Sequence, residues 1–506
     1  MVRWVLSAQA ALLVGVGARF WYYFLDDSFW RDESMLLLNV SQKTFAALMG
    51  PLDYAQSAPI PILWLYRLLY LSGAGGELPI RAVSLAASIL ALFLFYYLAR
   101  RMISDRQAVS FATWLVALSP GAILFAAQAK PYALDMLVAA CLLWLAIPVL
   151  TFQDNPPSLS RLLWAAALAP WVSYPALFIL GGLSIALLLR CRSFGSPPPA
   201  KGLVAIASSW SVMALVILFN LRASREASTL SYTWDSFNDY KYWWLWIFCQ
   251  VFYAYLGPKE ISMADRSYPH GYHMNPFALG VAGLVTLGLW ESRKRWGWPW
   301  TLALASPLGL ALAAISFKLY LPYGRLFLFA VPCLSLLAGH GAAWLYQSVR
   351  WRLLTNMLLV FIILSCGIAS LRSFGAPVGG MREALDYIAI NQHPGDLVFF
   401  DAYAAPTIAY YRLIGRLSAV NLKYGLDPEG FLEGKRSYSR EESLSLMPPG
   451  KGIWLVAETM DYIRGPVTTV APSVSVVEKE LNASRAPMSA YITDRVQVRE
   501  FSPAFK

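Results

Sequence analysis

The feature that most constrains this chain is a series of apolar runs, each about as long as a membrane is thick. A helix needs roughly 18 to 20 apolar residues to cross the hydrocarbon core of a bilayer. The composition agrees, because 58% of the 506 residues are hydrophobic and only 14% are charged. We therefore expect an α-helical polytopic membrane protein.

The basic residues indicate how the spans are oriented. With the N-terminus inside, the Arg and Lys clusters at 100–106, 190–201, 293–295 and 350–352 all fall on the cytoplasmic side, where such clusters are favoured. This topology accounts for much of the net charge of +11, so we expect no nucleic-acid partner. The predicted location is the cytoplasmic membrane, with a cytoplasmic N-terminus.

We predict about eleven transmembrane helices. They cover about 4–25, 80–99, 108–127, 133–151, 162–173, 176–189, 202–221, 276–291, 298–316, 326–346 and 353–371. The odd number places the C-terminus outside. Spans 162–173 and 176–189 form a hairpin around PWVSYP, with one long tilted helix as the alternative. Residues 243–256 are aromatic and short, and we expect them in the membrane interface; if they span, the C-terminus lies inside.

The chain divides into two predicted domains. Residues 1–374 form a transmembrane domain with long outward loops at 26–79 and 222–275. The first loop carries two short apolar segments that suit helices on the membrane surface. From 375 to 506 charge and turn residues increase, and short β-type runs alternate with helical stretches, which favours a small extracytoplasmic α/β domain.

Four carboxylates follow the first apolar run. Asp26 and Asp27 are typical of residues that mark the water boundary or cap the next helix. Asp32 and Glu33 lie between Trp30 and an apolar helix, where water is scarce and a carboxylate can act as a general base.

Two later outward turns also interrupt apolar helices with polar residues. The first has Gln128, Lys130, Tyr132 and Asp135; the second has Lys318, Tyr320, Tyr323 and Arg325. Lysine and arginine there suit an anionic phosphate. The alternative is that these basic and aromatic side chains only anchor the helix ends at the lipid headgroups.

Several sequence motifs resemble one family. They are WRDES, YAQSAPIPILWLYRL, AAQAKPYALD, WVSYPALF and LPYGRLFLF, in this order over residues 1–371. Together they resemble the GT-C superfamily of polytopic glycosyltransferases. The nearest branch includes the dolichyl-phosphate-mannose protein mannosyltransferases and the lipid A aminoarabinose transferase.

The resemblance implies roles for individual residues. Asp32, followed by Glu33, matches the catalytic carboxylate of the first outward loop, and Lys130, Arg325 and Lys318 match basic residues that bind the donor phosphate. Gln56 lies in a surface segment that lacks the His-Pro-Pro form of some relatives. The remaining substrate-binding candidates are Gln128, Tyr132, Asp135 and Tyr323.

The implied activity is transfer of a sugar from a polyprenyl-phosphate-linked donor to a glycan, lipid or protein acceptor, with inversion and Asp32 as base. We expect no cofactor, although Asp32 and Glu33 could also hold a divalent metal ion. The alternative function is a secondary transporter or lipid flippase, which would move its substrate unchanged.

Overall fold

The structure, a computed structural model, describes most of the membrane region and parts of the C-terminal segment. The described residues are 7–25, 28–54, 56–151, 158–194, 243–256, 276–321, 323–347, 352–374, 380–393, 396–400, 404–416, 452–458, 487–492 and 496–501. The predicted span at 202–221, most of the loop at 222–275, and both Asp26 and Asp27 lie outside them.

The membrane region is built from α-helices. In chain order they are α1 (Ala8–Phe24), α2 (Arg31–Gln42), α3 (Ile60–Leu71), α4 (Glu77–Met102), α5 (Arg106–Ala117), α6 (Pro120–Leu124), α7 (Tyr132–Thr151), α8 (Ser158–Val172), α9 (Ala176–Phe194), α10 (Trp243–Val251), α11 (Tyr253–Leu256), α12 (Pro276–Ser316), α13 (Val331–Gln347) and α14 (Arg352–Phe374). Short 3₁₀ helices cover Ala47–Met49, Phe125–Ala127 and Gly324–Ala330.

Helices long and apolar enough to cross a membrane are present among the described residues. Four meet both conditions, Glu77–Met102, Tyr132–Thr151, Phe277–Ser316 and Gly324–Gln347, and a fifth span results if the bent pair Arg106–Ala117 and Pro120–Ala127 counts as one. The helices at Ala8–Phe24, Ser158–Val172, Ala176–Phe194 and Arg352–Phe374 also follow predicted spans, but they are shorter or less apolar. The fold class is therefore polytopic and α-helical, and the count of about eleven stays a prediction.

The predicted helix at 108–127 is broken, which corrects the sequence expectation. α5 ends at Ala117, α6 begins at Pro120, and the two are bent by 50°. Proline is well tolerated in the first turn of a helix, and it disfavours the helical conformation at the residue that precedes it. Ser119 caps α6 by accepting a hydrogen bond from Ala122 N at 3.2 Å. The Ser-Pro pair therefore starts a new helix inside the apolar run.

Two further breaks lie where the sequence placed them. α8 ends at Val172 and α9 begins at Ala176, within the PWVSYP interruption. α12 contains Gly297 at φ 79°, a left-handed conformation that glycine adopts without strain. The segment 276–316 is thus two helices joined at Gly297, in agreement with the predicted spans at 276–291 and 298–316.

The aromatic segment 243–256 packs into the protein. Tyr255 is fully buried, and its hydroxyl lies 2.8 Å from Ser335 Oγ in α13. Ser119 Oγ donates to Ala254 O at 2.6 Å. The described part of this segment therefore has interior contacts that an interfacial helix would lack.

The C-terminal segment combines helices with a four-stranded sheet. Helices α15 (Met381–Asn391) and α16 (Ala405–Leu413) accompany β1 (Leu397–Phe400), β2 (Ile453–Glu458), β3 (Pro487–Ile492) and β4 (Val496–Phe501). The strand order is β1-β2-β4-β3, with β1 parallel to β2 and the other pairs antiparallel.

This segment packs against the loop and helices that lie between α1 and α4. One apolar cluster joins Phe29 and Leu36 of that region to Ile388 of α15, Tyr410 of α16 and Trp454 of β2. Burial of apolar surface holds the two parts together. The domain boundary near 374 stays a prediction.

Candidate active site

The structure brings Asp32 and Arg325 together. Asp32 lies in the first turn of α2, Arg325 lies in the 3₁₀ helix Gly324–Ala330, and Arg325 Nη1 is 2.9 Å from Asp32 Oδ2. The side chains are 19% and 29% exposed, so both remain accessible to a ligand. Gln250 Oε1 accepts a hydrogen bond from Gly324 N at 2.6 Å and fixes the helix that carries Arg325.

Aromatic rings surround the Arg325 guanidinium. The Tyr323, Trp30 and Tyr132 ring centroids lie 5.3, 5.8 and 6.0 Å from Arg325 Cζ. Cation–π contacts of this kind orient a guanidinium while its N–H groups stay available. Two of the predicted substrate-binding residues, Tyr132 and Tyr323, therefore lie beside the predicted phosphate-binding arginine.

The Glu33 carboxylate faces Arg81 and the Asp32 carboxylate faces Arg325, so the structure does not place these neighbours side by side, and a catalytic role for Glu33 stays a prediction. Its Oε2 is 2.6 Å from Arg81 Nη2, and its Oε1 accepts from Arg81 Nε at 3.0 Å and from Ala129 N at 2.6 Å. Trp30 N also donates to Oε2 at 3.2 Å. Glu33 is fully buried, and both its oxygens accept hydrogen bonds.

Lys130 is held by Gln56. Its ammonium donates to Gln56 Oε1 at 2.6 Å, which joins the turn after α6 to the loop before α3. Ala129, next to Lys130, is the residue that Glu33 binds. The hydrogen bond from Ala129 N to Glu33 therefore helps to fix the position of Lys130 relative to Asp32, since Ala129 precedes Lys130 and Glu33 follows Asp32.

Electrostatic interactions connect these groups. Burial alone raises the pKa of Asp32, but the positive charges of Arg325, Lys130 and Arg31 outweigh it and hold the pKa below its usual value. Burial lowers the pKa of the Lys130 ammonium to about 8, against the opposing effect of Asp32 and Glu33. At neutral pH the site therefore holds an ionised carboxylate beside two cations.

Gln128 and Asp135 are buried, and each has an oxygen atom without a well-aligned hydrogen bond in the described part of the chain, although the Ser173 hydroxyl interacts with the Asp135 carboxyl. Those atoms are Gln128 Oε1 and Asp135 Oδ1.

Lys318 lies apart from the other predicted site residues. It is exposed, has φ 57° in the turn after α12, and forms no ion pair with a described residue. Lys318 is thus the predicted site residue that the structure does not join to the others.

One face of α4 carries four polar side chains that sequence reasoning missed. Glu77, Arg81, Ser84 and Ser88 recur at intervals of four, three and four residues, so they share one side of the helix. All four are buried. The detectable signal was this helical spacing of polar residues in an otherwise apolar helix.

The serines of this face hold the elements that carry Lys130. Ser84 Oγ donates to Lys130 O at 3.1 Å, and Ser88 Oγ donates to Ala122 O at 3.0 Å. Ala122 lies in α6, just before the turn that contains Lys130. α4 therefore contacts both α6 and the turn that contains Lys130, in addition to the Arg81 contact with Glu33.

Arg19 of α1 stabilises the break between α5 and α6. Its guanidinium is fully buried and donates to Ala117 O at 3.0 Å, Val116 O at 3.1 Å, Gly15 O at 2.8 Å and Ser88 Oγ at 2.8 Å. Carbonyl groups at a helix C-terminus lack partners and carry partial negative charge, so a cation is favourable there. The buried arginine thus supports the broken helix that leads to Lys130.

The C-terminal segment anchors the loop before Asp32. Phe29 N donates to Tyr411 Oη at 2.8 Å, and Tyr411 Oη donates to Glu77 Oε1 at 2.7 Å. Ser28 Oγ accepts from Met381 N at 3.0 Å, at the start of α15. The start of α2, and with it Asp32, is therefore positioned partly by α15 and α16.

No group of three His, Cys, Asp or Glu side chains with metal-binding geometry occurs in the part of the chain that the structure describes. The predicted Asp32 and Glu33 pair diverges, since Glu33 binds Arg81 while Asp32 binds Arg325. These two residues therefore do not form a shared metal site in this arrangement.

Comparison with known proteins finds relatives by structure. No protein family model matches the chain, and no curated protein matches its sequence. The crystal structure of ArnT from Cupriavidus metallidurans bound to undecaprenyl phosphate matches with a TM-score of 0.52 and 13% identity, over 99% of this chain and 98% of that chain.

Two other structures match more weakly. ArnT in the apo state has a TM-score of 0.49 and 13% identity, over 97% of this chain and 98% of that chain. The Archaeoglobus fulgidus oligosaccharyltransferase in the apo form has a TM-score of 0.46 and 12% identity, over 89% and 69%. The fold assignment rests on the undecaprenyl phosphate-bound ArnT structure alone. Because that match runs over nearly the full length of both proteins, the chain has the same polytopic membrane fold as this ArnT structure.

Proposed function

We propose that this protein is a membrane glycosyltransferase. It moves a sugar from a polyprenyl-phosphate-linked donor to a glycan, lipid or protein acceptor on the outer face of the cytoplasmic membrane. The observation that carries the proposal is a partly exposed carboxylate, Asp32, held 2.9 Å from Arg325 and close to the Lys130 ammonium. The undecaprenyl phosphate in the ArnT structure supports the choice of a polyprenyl-phosphate donor.

Arg325 and Lys130 bind the donor phosphate in this proposal. The leaving group is a polyprenyl phosphate, and negative charge grows on its oxygen as the bond to the sugar breaks. A guanidinium has five donors, so Arg325 can bind phosphate oxygens bidentately without leaving Asp32. The Tyr132 and Tyr323 rings keep the guanidinium in place, and Gln56 holds the Lys130 ammonium.

Asp32 is the general base. The acceptor hydroxyl or amine attacks the anomeric carbon, its proton passes to the Asp32 carboxylate, and the bond from that carbon to the phosphate oxygen breaks with the electron pair on oxygen. A single displacement inverts the anomeric configuration. The lowered pKa of Asp32 keeps the carboxylate ionised at neutral pH, and the ionised form is the one that can take the proton of the acceptor.

Glu33 and Arg81 act as positioning residues, and Lys318 receives no role in donor binding. The proposed topology has a cytoplasmic N-terminus and an extracytoplasmic C-terminal domain. The reaction needs no cofactor in this scheme, since every step uses side chains of the chain.

The test is transfer of label in proteoliposomes. Purified protein is mixed with radiolabelled polyprenyl-phosphate sugars and membrane fractions that contain acceptors. We expect label in a new product together with release of polyprenyl phosphate. Donor that stays intact while labelled lipid changes sides of the membrane would instead establish a transporter or flippase.

Binding of the lipid phosphate should weaken as pH rises through about 8. Burial lowers the pKa of Lys130 to about 8, and only the protonated ammonium attracts phosphate. Above that pH, the affinity for undecaprenyl phosphate should fall by up to about tenfold per pH unit. Tryptophan fluorescence titrations in nanodiscs between about pH 7 and 9.5 measure it.

The matched variant is Lys130→Arg, because arginine stays charged over this range. Its affinity should change little with pH. A wild-type profile as flat as that of the arginine variant would remove Lys130 from the phosphate site.

A further inference from the structure

Helix α4 runs from the candidate active site to the opposite face of the membrane region. Arg81, near its start, binds Glu33 beside the site. The helix has 26 residues from Glu77 to Met102, and a rise of about 1.5 Å per residue makes it roughly 38 Å long. That length exceeds the hydrocarbon core of a bilayer, which is about 30 Å thick. The turn after Met102 therefore lies on the membrane face opposite Asp32.

Two turns on that face are bonded to each other. They are the turn between α4 and α5, and the turn at Gly297 that divides α12. Arg295 Nη1 donates to Ser104 Oγ at 2.7 Å, and Trp296 Nε1 donates to Met102 O at 2.9 Å. These bonds join residues that are 191 and 194 positions apart in the chain. The side chains of both turns therefore belong to one surface.

The joined turns form a strongly basic patch. Residues 100–106 and 291–295 contain two carboxylates and six basic side chains, and all six basic side chains are exposed. Asp105 caps α5 by accepting from two backbone N–H groups at 2.8 and 2.9 Å. Glu291 is buried and accepts from Gln347 Nε2 at 2.8 Å. The surface therefore carries a large excess of positive charge. The basic patch consists of Arg100, Arg101, Arg106, Arg293, Lys294 and Arg295.

Two exposed tryptophans flank Arg293 in the basic patch. Trp290 and Trp298 are 59% and 51% exposed, and their ring centroids lie 5.8 and 4.4 Å from Arg293 Cζ. Exposed indole rings at the end of a membrane helix are favoured at the depth of the lipid headgroups. Cation–π contacts orient the guanidinium while its N–H groups stay available to a ligand. The basic patch therefore meets the membrane at headgroup depth.

The chemistry of the basic patch selects its ligand. A guanidinium binds phosphate oxygens bidentately, and a cluster of basic residues at a membrane surface attracts anionic lipids. A zwitterionic lipid brings its own cation, which the patch repels. We propose that the basic patch, with Trp290 and Trp298, binds the phosphodiester headgroup of an anionic phospholipid. In the proposed topology this lipid belongs to the cytoplasmic leaflet, and its site is independent of sugar transfer.

The test is lipid competition read by native mass spectrometry. Purified protein in detergent is mixed with equal amounts of phosphatidylglycerol and phosphatidylcholine that have identical acyl chains. Wild type should retain at least about fivefold more phosphatidylglycerol, because the two lipids differ only in the headgroup. Arg293→Gln should reduce this preference to about twofold or less, since it removes the guanidinium between the two indole rings. Its melting temperature in phosphatidylcholine should match wild type, because Arg293 is exposed.

Arg161→Gln is the matched control. Arg161 is exposed near the start of α8. Tyr174, beyond the other end of α8, donates to Ala58 O at 3.0 Å in the loop that carries Gln56. Arg161 therefore lies on the same membrane face as the basic patch but on a different helix. Its loss removes the same charge and should leave the lipid preference unchanged.

A second variant separates the rings from the charge. Trp298→Leu keeps every positive charge of the basic patch but removes the ring nearest to Arg293. It should weaken retention of phosphatidylglycerol by about two- to threefold, because the guanidinium is then less well oriented. Retention equal to that of wild type would remove Trp298 from the site.

Three results would overturn the lipid site. The first is equal retention of the two lipids by wild type. The second is an equal loss of preference in Arg293→Gln and Arg161→Gln, because net charge would then explain the binding. The third is displacement of phosphatidylglycerol by an equal concentration of glycerophosphoglycerol, its headgroup without acyl chains, which would establish a soluble phosphodiester as the ligand. Because no sugar donor is used, failure of the proposed function leaves these outcomes unaffected.

Discussion

Asp32→Asn should fold and bind undecaprenyl phosphate, yet transfer sugar about 10²- to 10⁴-fold more slowly than wild type. The amide keeps the size of the side chain but cannot accept the acceptor's proton, and loss of a general base typically has this effect. Affinity for undecaprenyl phosphate should stay equal or rise, because Arg325 loses the carboxylate that is 2.9 Å away. Initial rates of label transfer and fluorescence titrations measure the two quantities.

The control for this prediction is Asp53→Asn. Asp53 forms an ion pair with Lys43 at 3.1 Å in the segment between α2 and α3, and its side chain is 59% exposed. Surface ion pairs contribute little, so its transfer rate should stay within about twofold of wild type. An Asp32→Asn protein that keeps wild-type rates would refute the role of Asp32 as base.

Glu33→Gln should reduce the stability of the folded protein by about 3 to 5 kcal/mol. The substitution leaves the buried Arg81 guanidinium without a compensating charge, and an unpaired buried charge is strongly unfavourable. Ala129 N would also lose its charged partner, so Lys130 should be less well placed and affinity for undecaprenyl phosphate should fall. Thermal unfolding in nanodiscs and lipid titration check both effects.

Glu383→Gln is the matched control for Glu33→Gln. Glu383 forms an ion pair with Arg382 at 2.9 Å, and its side chain is 39% exposed, so its loss should reduce stability by less than about 1 kcal/mol. The pair Glu33→Gln with Arg81→Met should recover part of the lost stability, since no charge then stays unpaired. Equal melting temperatures for the two glutamine variants would contradict the role assigned to Glu33.

The sequence predicted Asp32, Lys130 and Arg325 as site residues, because charged groups beside apolar runs are energetically unfavourable in a membrane and usually have a function. It also predicted Asp32 and Glu33 as one catalytic pair. Successive residues of a helix point about 100° apart, so adjacent carboxylates face different surroundings. Which of them met Arg81 and which met Arg325 depended on residues distant in the chain.

Two other features of the structure, the helix break at Pro120 and the polar face of α4, had signals in the local sequence that the sequence analysis did not use. Pro120 marked a helix start inside the run 108–127, and the spacing of Glu77, Arg81, Ser84 and Ser88 marked a polar face of α4. Arg19 had no comparable signal. Its partners are carbonyl groups at the end of another helix, and carbonyl groups occur at every residue.

The sequence by itself determined that this chain is a polytopic helical membrane protein, because hydrocarbon tolerates only long apolar segments whose backbone groups are bonded within a helix. It also determined which side chains were candidates for chemistry. Only the tertiary structure decided that Asp32 pairs with Arg325, that Glu33 is buried on Arg81, and that Lys318 lies apart. These outcomes depend on contacts between distant segments, and the direction of each side chain within a helix decides which contacts form.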